Sequence, residues 1–165
     1  MISEGYFKEK TRYPFWIVFS IGIILMLSPL FIQEPFAKIE KEVIATMVLM
    51  FLIILLFLFI LLSLRVDEEG IKVRFRPFIN NEKKIRWEEL ESVRVRKYNP
   101  IMEFGGWGYR IRIKKRAYTL YGSWGMDLRF KNGKSLFIGV QQHEQLHLFL
   151  KERIYPKHPE LKGSN

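Results

Sequence analysis

The sequence predicts an α+β membrane protein, with an N-terminal two-helix transmembrane hairpin ahead of a mainly-β domain. Three observations predict it. Two uncharged apolar runs, Phe15 to Ile32 and Val43 to Leu64, measure 18 and 22 residues. From Arg65 onward, short apolar and polar alternations of period two take over. After the last of these, Leu146, Phe149, Leu150 and Ile154 recur at helical spacing.

The chain of 165 residues carries a formal charge of +10 and is 48% hydrophobic. It has no cysteine and three histidines, so disulfides and cysteine-based metal or nucleophile chemistry are excluded. Residues 1–64 read as an N-terminal segment and hairpin, with helices over 15–32 and 43–64. About 20 apolar residues span a bilayer as a helix. The first run follows Lys8, Lys10 and Arg12, but its length and the lack of a small-x-small site after it argue against a signal peptide. A ten-residue loop, Gln33 to Glu42, joins the helices and holds Lys38 and Lys41 among three glutamates. The first 14 residues hold three basic residues, and residues from Arg65 onward hold 22 against 12 acidic ones. Positive segments stay inside. The expectation is a multi-pass inner (cytoplasmic) membrane protein with both termini cytoplasmic.

Residues 65–155 read as about seven antiparallel strands capped by one C-terminal helix, and 156–165 as a polar tail. Asp67 to Gly70 is a turn. Ile71, Val73 and Phe75 alternate with Lys72, Arg74 and Arg76 as a half-buried strand. PFINNEKK reads as a loop, Ile85 to Trp87 as a short strand, and SVRVRKY as another. EFGGWG is a connection. YRIRIK, AYTLY, MDLRF and SLFIG are strands, the last two joined by the hairpin turn Asn132-Gly133. Gln141 to Ile154 is an amphipathic helix.

The strand hairpin, the I-x-W-x-x-L step (Ile85, Trp87, Leu90), the further hairpins and the closing helix resemble a prokaryotic pleckstrin-homology-like domain. With the apolar runs and the GGWGYR, AYTLYG and LFIGVQ segments, nearly the whole chain resembles uncharacterised small membrane proteins of this type. The resemblance implies a fold and a location. It brings no catalytic residues.

Residues 143–147, HEQLH, fit the helical zinc motif H-E-x-x-H. A catalytic zinc takes three protein ligands and an open position, yet the residues that follow, LFLKERIYP, supply no third histidine. The match is read as accidental, with no cofactor expected. A membrane-tethered zinc hydrolase using His143, His147 and Glu144 as base is the alternative. Gly105 to Gly108 is no phosphate loop, since it lacks the lysine and precedes a strand.

The strongest charge signal is arginine on the outward positions of strands. Arg74, Arg76, Arg94, Arg96, Arg110, Arg112 and Lys114, with Trp107 and Trp124, are the candidate residues for anionic lipid headgroups or a protein partner. A solvated sheet face is the competing explanation. A nucleic-acid partner fits less well with a membrane anchor. The expected role is a non-enzymatic binding or scaffolding module, in contact with a membrane-protein partner or with itself, anionic lipid, or both.

Overall fold

A computed structural model describes residues 2–3, 5–27 and 39–161. The chain forms two compact units. One is Arg12–Ile60; the other joins Met1–Thr11 to Leu61–Asn165.

The first unit holds helices α1 (Phe15–Leu27) and α2 (Ile39–Phe59). The helices touch where Gly22 faces Ile54, and Tyr13, just ahead of α1, meets Phe57 edge-on at 5.1 Å. Trp16, Phe19, Ile24, Phe51 and Phe59 stand more than half exposed on the helices, and apolar surface of this kind is normally covered by another molecule.

The transmembrane hairpin predicted from the apolar runs is corrected here. Among the described residues, no helix is long and apolar enough to cross a membrane. The helix α1 has 13 residues, about 20 Å at 1.5 Å per residue against a core of about 30 Å. The rest of its run, 28–32, lies outside the described residues, as does most of the predicted loop, 33–38. The second run is divided. Its helical part ends at Phe59, and Leu61–Asp67 is a strand. The α+β transmembrane class gives way to a mostly β protein. The membrane and transmembrane-helix assignments, and the inner-membrane location with both termini cytoplasmic, lose their basis with it. The physical cause is local. In LLSLRVD the apolar residues alternate with Ser63 and Arg65, and Leu62 and Leu64 are 1% and 2% exposed as strand residues opposite Phe75 and Val73. Period two outweighs the unbroken hydropathy of the run.

The second unit contains two five-stranded sheets rather than about seven strands. The first runs in the order β1 (Ile2–Ser3), β2 (Tyr6–Arg12), β3 (Leu61–Asp67), β4 (Gly70–Arg76) and β5 (Ile79–Arg86). Its β5 takes up most of the segment read as a loop. The second sheet has the order β6 (Leu90–Lys97), β9 (Trp124–Phe130), β10 (Ser135–Gly139), β8 (Lys115–Thr119) and β7 (Gly108–Ile111). Here β10 lies between β9 and β8 and runs parallel to β8. A short helix, α3 (Pro100–Phe104), precedes the connection EFGGWG and ends inside it. Asn99 caps it, its side-chain oxygen accepting from the N–H groups of Ile101 and Met102 at 3.1 and 3.2 Å.

The core forms from the inward positions of both sheets. Val66, Ile71, Val73 and Phe75 come from the first, and Val93, Met126, Leu128 and Ile138 from the second; all are fully buried. Ile85, Trp87 and Leu90 join them, and the Trp87 indole donates to the carbonyls of Asp67 and Glu68 at 3.1 Å each. The helix α4 (His143–Phe149) continues as a π turn over Leu150–Ile154. Its buried residues are Leu146, Phe149, Leu150 and Ile154. The N-terminal strand β2 buries Phe7, Glu9 and Thr11. Glu9 accepts from the backbone N–H groups of Gln141 and Gln142 at 2.8 and 3.0 Å, where the chain enters α4, and from the Thr11 hydroxyl at 2.7 Å.

This arrangement predicts two separable losses. Leu146→Ala should cost about 2–5 kcal/mol by leaving a cavity. Glu9→Ala should cost roughly 1–3 kcal/mol by leaving two N–H groups without their acceptor. Denaturant unfolding of the full chain measures both. A Glu9→Ala midpoint equal to that of the wild type would show that β2 does not hold α4.

Candidate functional site

The outward positions of the second sheet alternate with its core positions. They place Arg94 and Arg96 (β6), Asp127 and Arg129 (β9), Ser135 and Phe137 (β10) and Lys115 and Ala117 (β8) on one surface. The helix α3 folds over part of it. Phe104 packs on Phe137 at 5.3 Å and on Tyr98 at 5.9 Å, and Tyr98 meets Phe137 at 4.5 Å. Burial pushes the Tyr98 hydroxyl up to about 12, so it stays protonated at neutral pH. Gly125 has no side chain because the Phe137 ring lies where its Cβ would project.

Arg96 is fully engaged under this cover. It donates to Asp127 at 3.0 Å and to both oxygens of Glu103 at 3.1 and 2.7 Å. Its guanidinium lies 4.9 Å from the centre of the Phe137 ring. Arg94 also reaches Asp127, at 3.4 Å. Two of the predicted ligand-binding arginines are therefore tied into the protein's own ion-pair network.

Arg112 and Lys114 lie in the loop between β7 and β8, and there the balance is different. They line a cleft of about 240 Å³ with Lys83 from β5, Arg116 from β8 and Lys134 from the β9–β10 turn. Glu89 is the single carboxylate in that lining. The Lys83 ammonium is held below its usual range, first by burial and then by the positive charge of Arg116, with Lys134 adding to it and Glu89 opposing. Burial is the larger cause; Arg116 and Lys134 add a repulsion that an anion would relieve. Between Arg112 and Lys114, Ile113 is 97% exposed.

The other predicted residues are dispersed. Arg74 stands on the outer face of the first sheet and Arg76 is exposed at the end of β4. Arg110 donates to the Gly105 carbonyl at 3.3 Å. The Trp107 indole donates to the Gly122 carbonyl at 2.9 Å, with 44% of the residue exposed. Trp124 stacks on His143 with ring centres 4.3 Å apart and planes 6° from parallel. His143 Nδ1 lies 3.2 Å from the Gln141 carbonyl, and His147 is exposed on α4. Among the described residues, no group of three His, Asp or Glu side chains is placed to hold a metal ion.

Lys83, Arg116 and Lys134 escaped the sequence reading. Lys83 sits in a stretch read as a loop, and the other two lie outside the alternating arginine segments. Asp127 did leave a signal, as a lone carboxylate at an outward position of the strand MDLRF. No family model and no curated protein matches this chain.

The Arg96–Glu103 pair makes a pH prediction. Its hydrogen bonds from Arg96 are the largest influence holding the Glu103 carboxyl below its ordinary 4.5. A depressed folded-state pKa means that the contribution is fully present above that ordinary value and is lost as pH falls through the lower, folded value. Unfolding midpoints taken from about pH 6 to about pH 3 should fall more steeply for the wild type than for Glu103→Gln. Parallel curves would remove this pair from the acid response.

Proposed function

We propose that the β unit is a non-enzymatic binding module whose β7–β8 loop and adjoining cleft engage the phosphate-bearing headgroups of anionic lipid. One observation carries the reading. Ile113 projects almost fully exposed between Arg112 and Lys114, at the rim of a cleft whose other cations are Lys83, Arg116 and Lys134. An apolar tip ringed by cations suits an anionic headgroup layer, where the cations meet phosphate and the side chain enters the acyl boundary. An acidic peptide would use the cations but leave Ile113 in water. The reading requires no membrane-spanning helix. The pleckstrin-homology-like resemblance supplies no ligand contacts, so this loop alone supports it.

The test is cosedimentation of the full chain with phosphatidylglycerol-containing and pure phosphatidylcholine vesicles at low and high salt. Binding should require the anionic lipid and weaken with salt. At about 1 kcal/mol per basic group near the surface, Lys114→Gln and Arg112→Gln should each weaken it roughly fivefold. Ile113→Ser should weaken it without altering the salt dependence. Equal binding to both vesicle types, or unchanged binding by an Arg112→Gln, Lys114→Gln double variant, would end the reading.

A further inference from the structure

At the end of the second sheet beside the β7–β8 loop, three residues form a row across three strands. Ser135, the first residue of β10, lies opposite Lys115, the first of β8, and on its other side opposite Arg129 of β9. Cross-strand partners project from one face, so a hydroxyl stands between two cations. Neighbouring strands are about 4.8 Å apart, which sets the backbones of Lys115 and Arg129 roughly 10 Å apart with a short side chain between them. The row lines a cleft of about 220 Å³. The carboxylates of that cleft, Glu103 and Asp127, are already engaged by Arg96 and Arg94. Lys115 acts on Glu103 only as the least of the influences on that carboxyl. Among the described residues, Lys115 and Arg129 make no ion pair and the Ser135 hydroxyl makes no hydrogen bond. Both cations are exposed, within a ligand's reach.

We propose that Ser135, Lys115 and Arg129 form a second phosphate site, and that the lipid headgroup engaged carries two phosphate groups in one molecule, one for each cleft. This rests on the lipid reading of the β7–β8 loop and extends it. The two clefts adjoin, because Arg116 and Ser135 line both. The Ser135 N–H also donates to the Lys114 carbonyl at 2.8 Å, which ties the start of β10 to the loop. An ionised phosphodiester offers only acceptors. The guanidinium meets it as a planar fork, the ammonium as a point charge, and the hydroxyl donates between them. Once one phosphate is seated, a second on the same molecule arrives at high effective concentration. Two single-phosphate lipids would have to be ordered separately.

The probes are phosphatidylcholine vesicles holding diphosphatidylglycerol or phosphatidylglycerol, matched for phosphate from the anionic lipid and cosedimented with the full chain. The wild type should bind diphosphatidylglycerol at least about fivefold more tightly. Lys115→Gln and Arg129→Gln should each weaken that binding roughly fivefold, and Ser135→Ala severalfold. All three should leave phosphatidylglycerol binding nearly unchanged, because its single phosphate occupies the β7–β8 cleft. Ser135→Ala alters no charge, so a general loss of surface charge would not reproduce its effect. Lys115 and Arg129 are exposed, so their variants should fold, and unchanged melting temperatures check this. Equal affinity for the two lipids, or equal losses on both, would overturn the second site and leave the loop reading standing. Binding to neither lipid would end both. A soluble arm uses pyrophosphate against sodium chloride of equal ionic strength. A saturable rise in melting temperature with pyrophosphate, without preference between the vesicles, would assign the paired sites to a soluble diphosphate and overturn the lipid form.

Discussion

A carboxylate taken out of water must find donors for its oxygens, and Glu9 finds three. Two are backbone N–H groups 132 and 133 residues away in sequence, and the third is Thr11. Much else depends on this contact. It fixes β2 against the start of α4, with an anion placed where the helix dipole favours one. Gln142, the residue before α4, makes no side-chain cap of its own, so the cap comes from a distant strand. With β2 in place the first sheet gains its buried Phe7, and with α4 in place Leu146 and Phe149 are buried. The helical unit, Arg12–Ile60, is thus an insertion between two adjacent strands of one sheet.

The basic charge of the protein is divided by which carboxylates the fold brings near. Asp127 gathers Arg94 and Arg96, and Asp67 gathers Arg65 and Lys72. Glu103 is delivered to Arg96 by a five-residue helix that Asn99 begins. These pairs are partly buried and hydrogen-bonded, and their role is to hold surfaces in register. The cations least matched by carboxylates line the cleft at the β7–β8 loop, around Arg112 and Lys114. Unbalanced charge, and not the presence of arginine, separates a candidate ligand surface from a structural one.

Much of the β unit was legible in the sequence. Period-two alternation gave β4 and β6, the Asn132-Gly133 turn placed the β9–β10 hairpin, and three- and four-residue spacing gave the buried face of α4. The I-x-W-x-x-L residues Ile85, Trp87 and Leu90 are all core. These readings succeed because a side chain's inward or outward position follows from local backbone geometry.

Partners are another matter. An apolar run reads much the same whether it ends as helix or strand; the short alternation of LLSLRVD at its end becomes decisive once Leu61–Asp67 pairs with Gly70–Arg76. Residues 6–12 read only as part of a basic N-terminal segment because their alternation is short and their partner strand begins at Leu61, beyond the helices. Arg94 and Arg112 look alike in sequence; Asp127, contributed by another strand, engages the first. The sequence by itself determined which residues can face the core, a consequence of local periodicity. Tertiary structure alone decided which charges are balanced and which remain available, because that depends on distances between residues far apart along the chain.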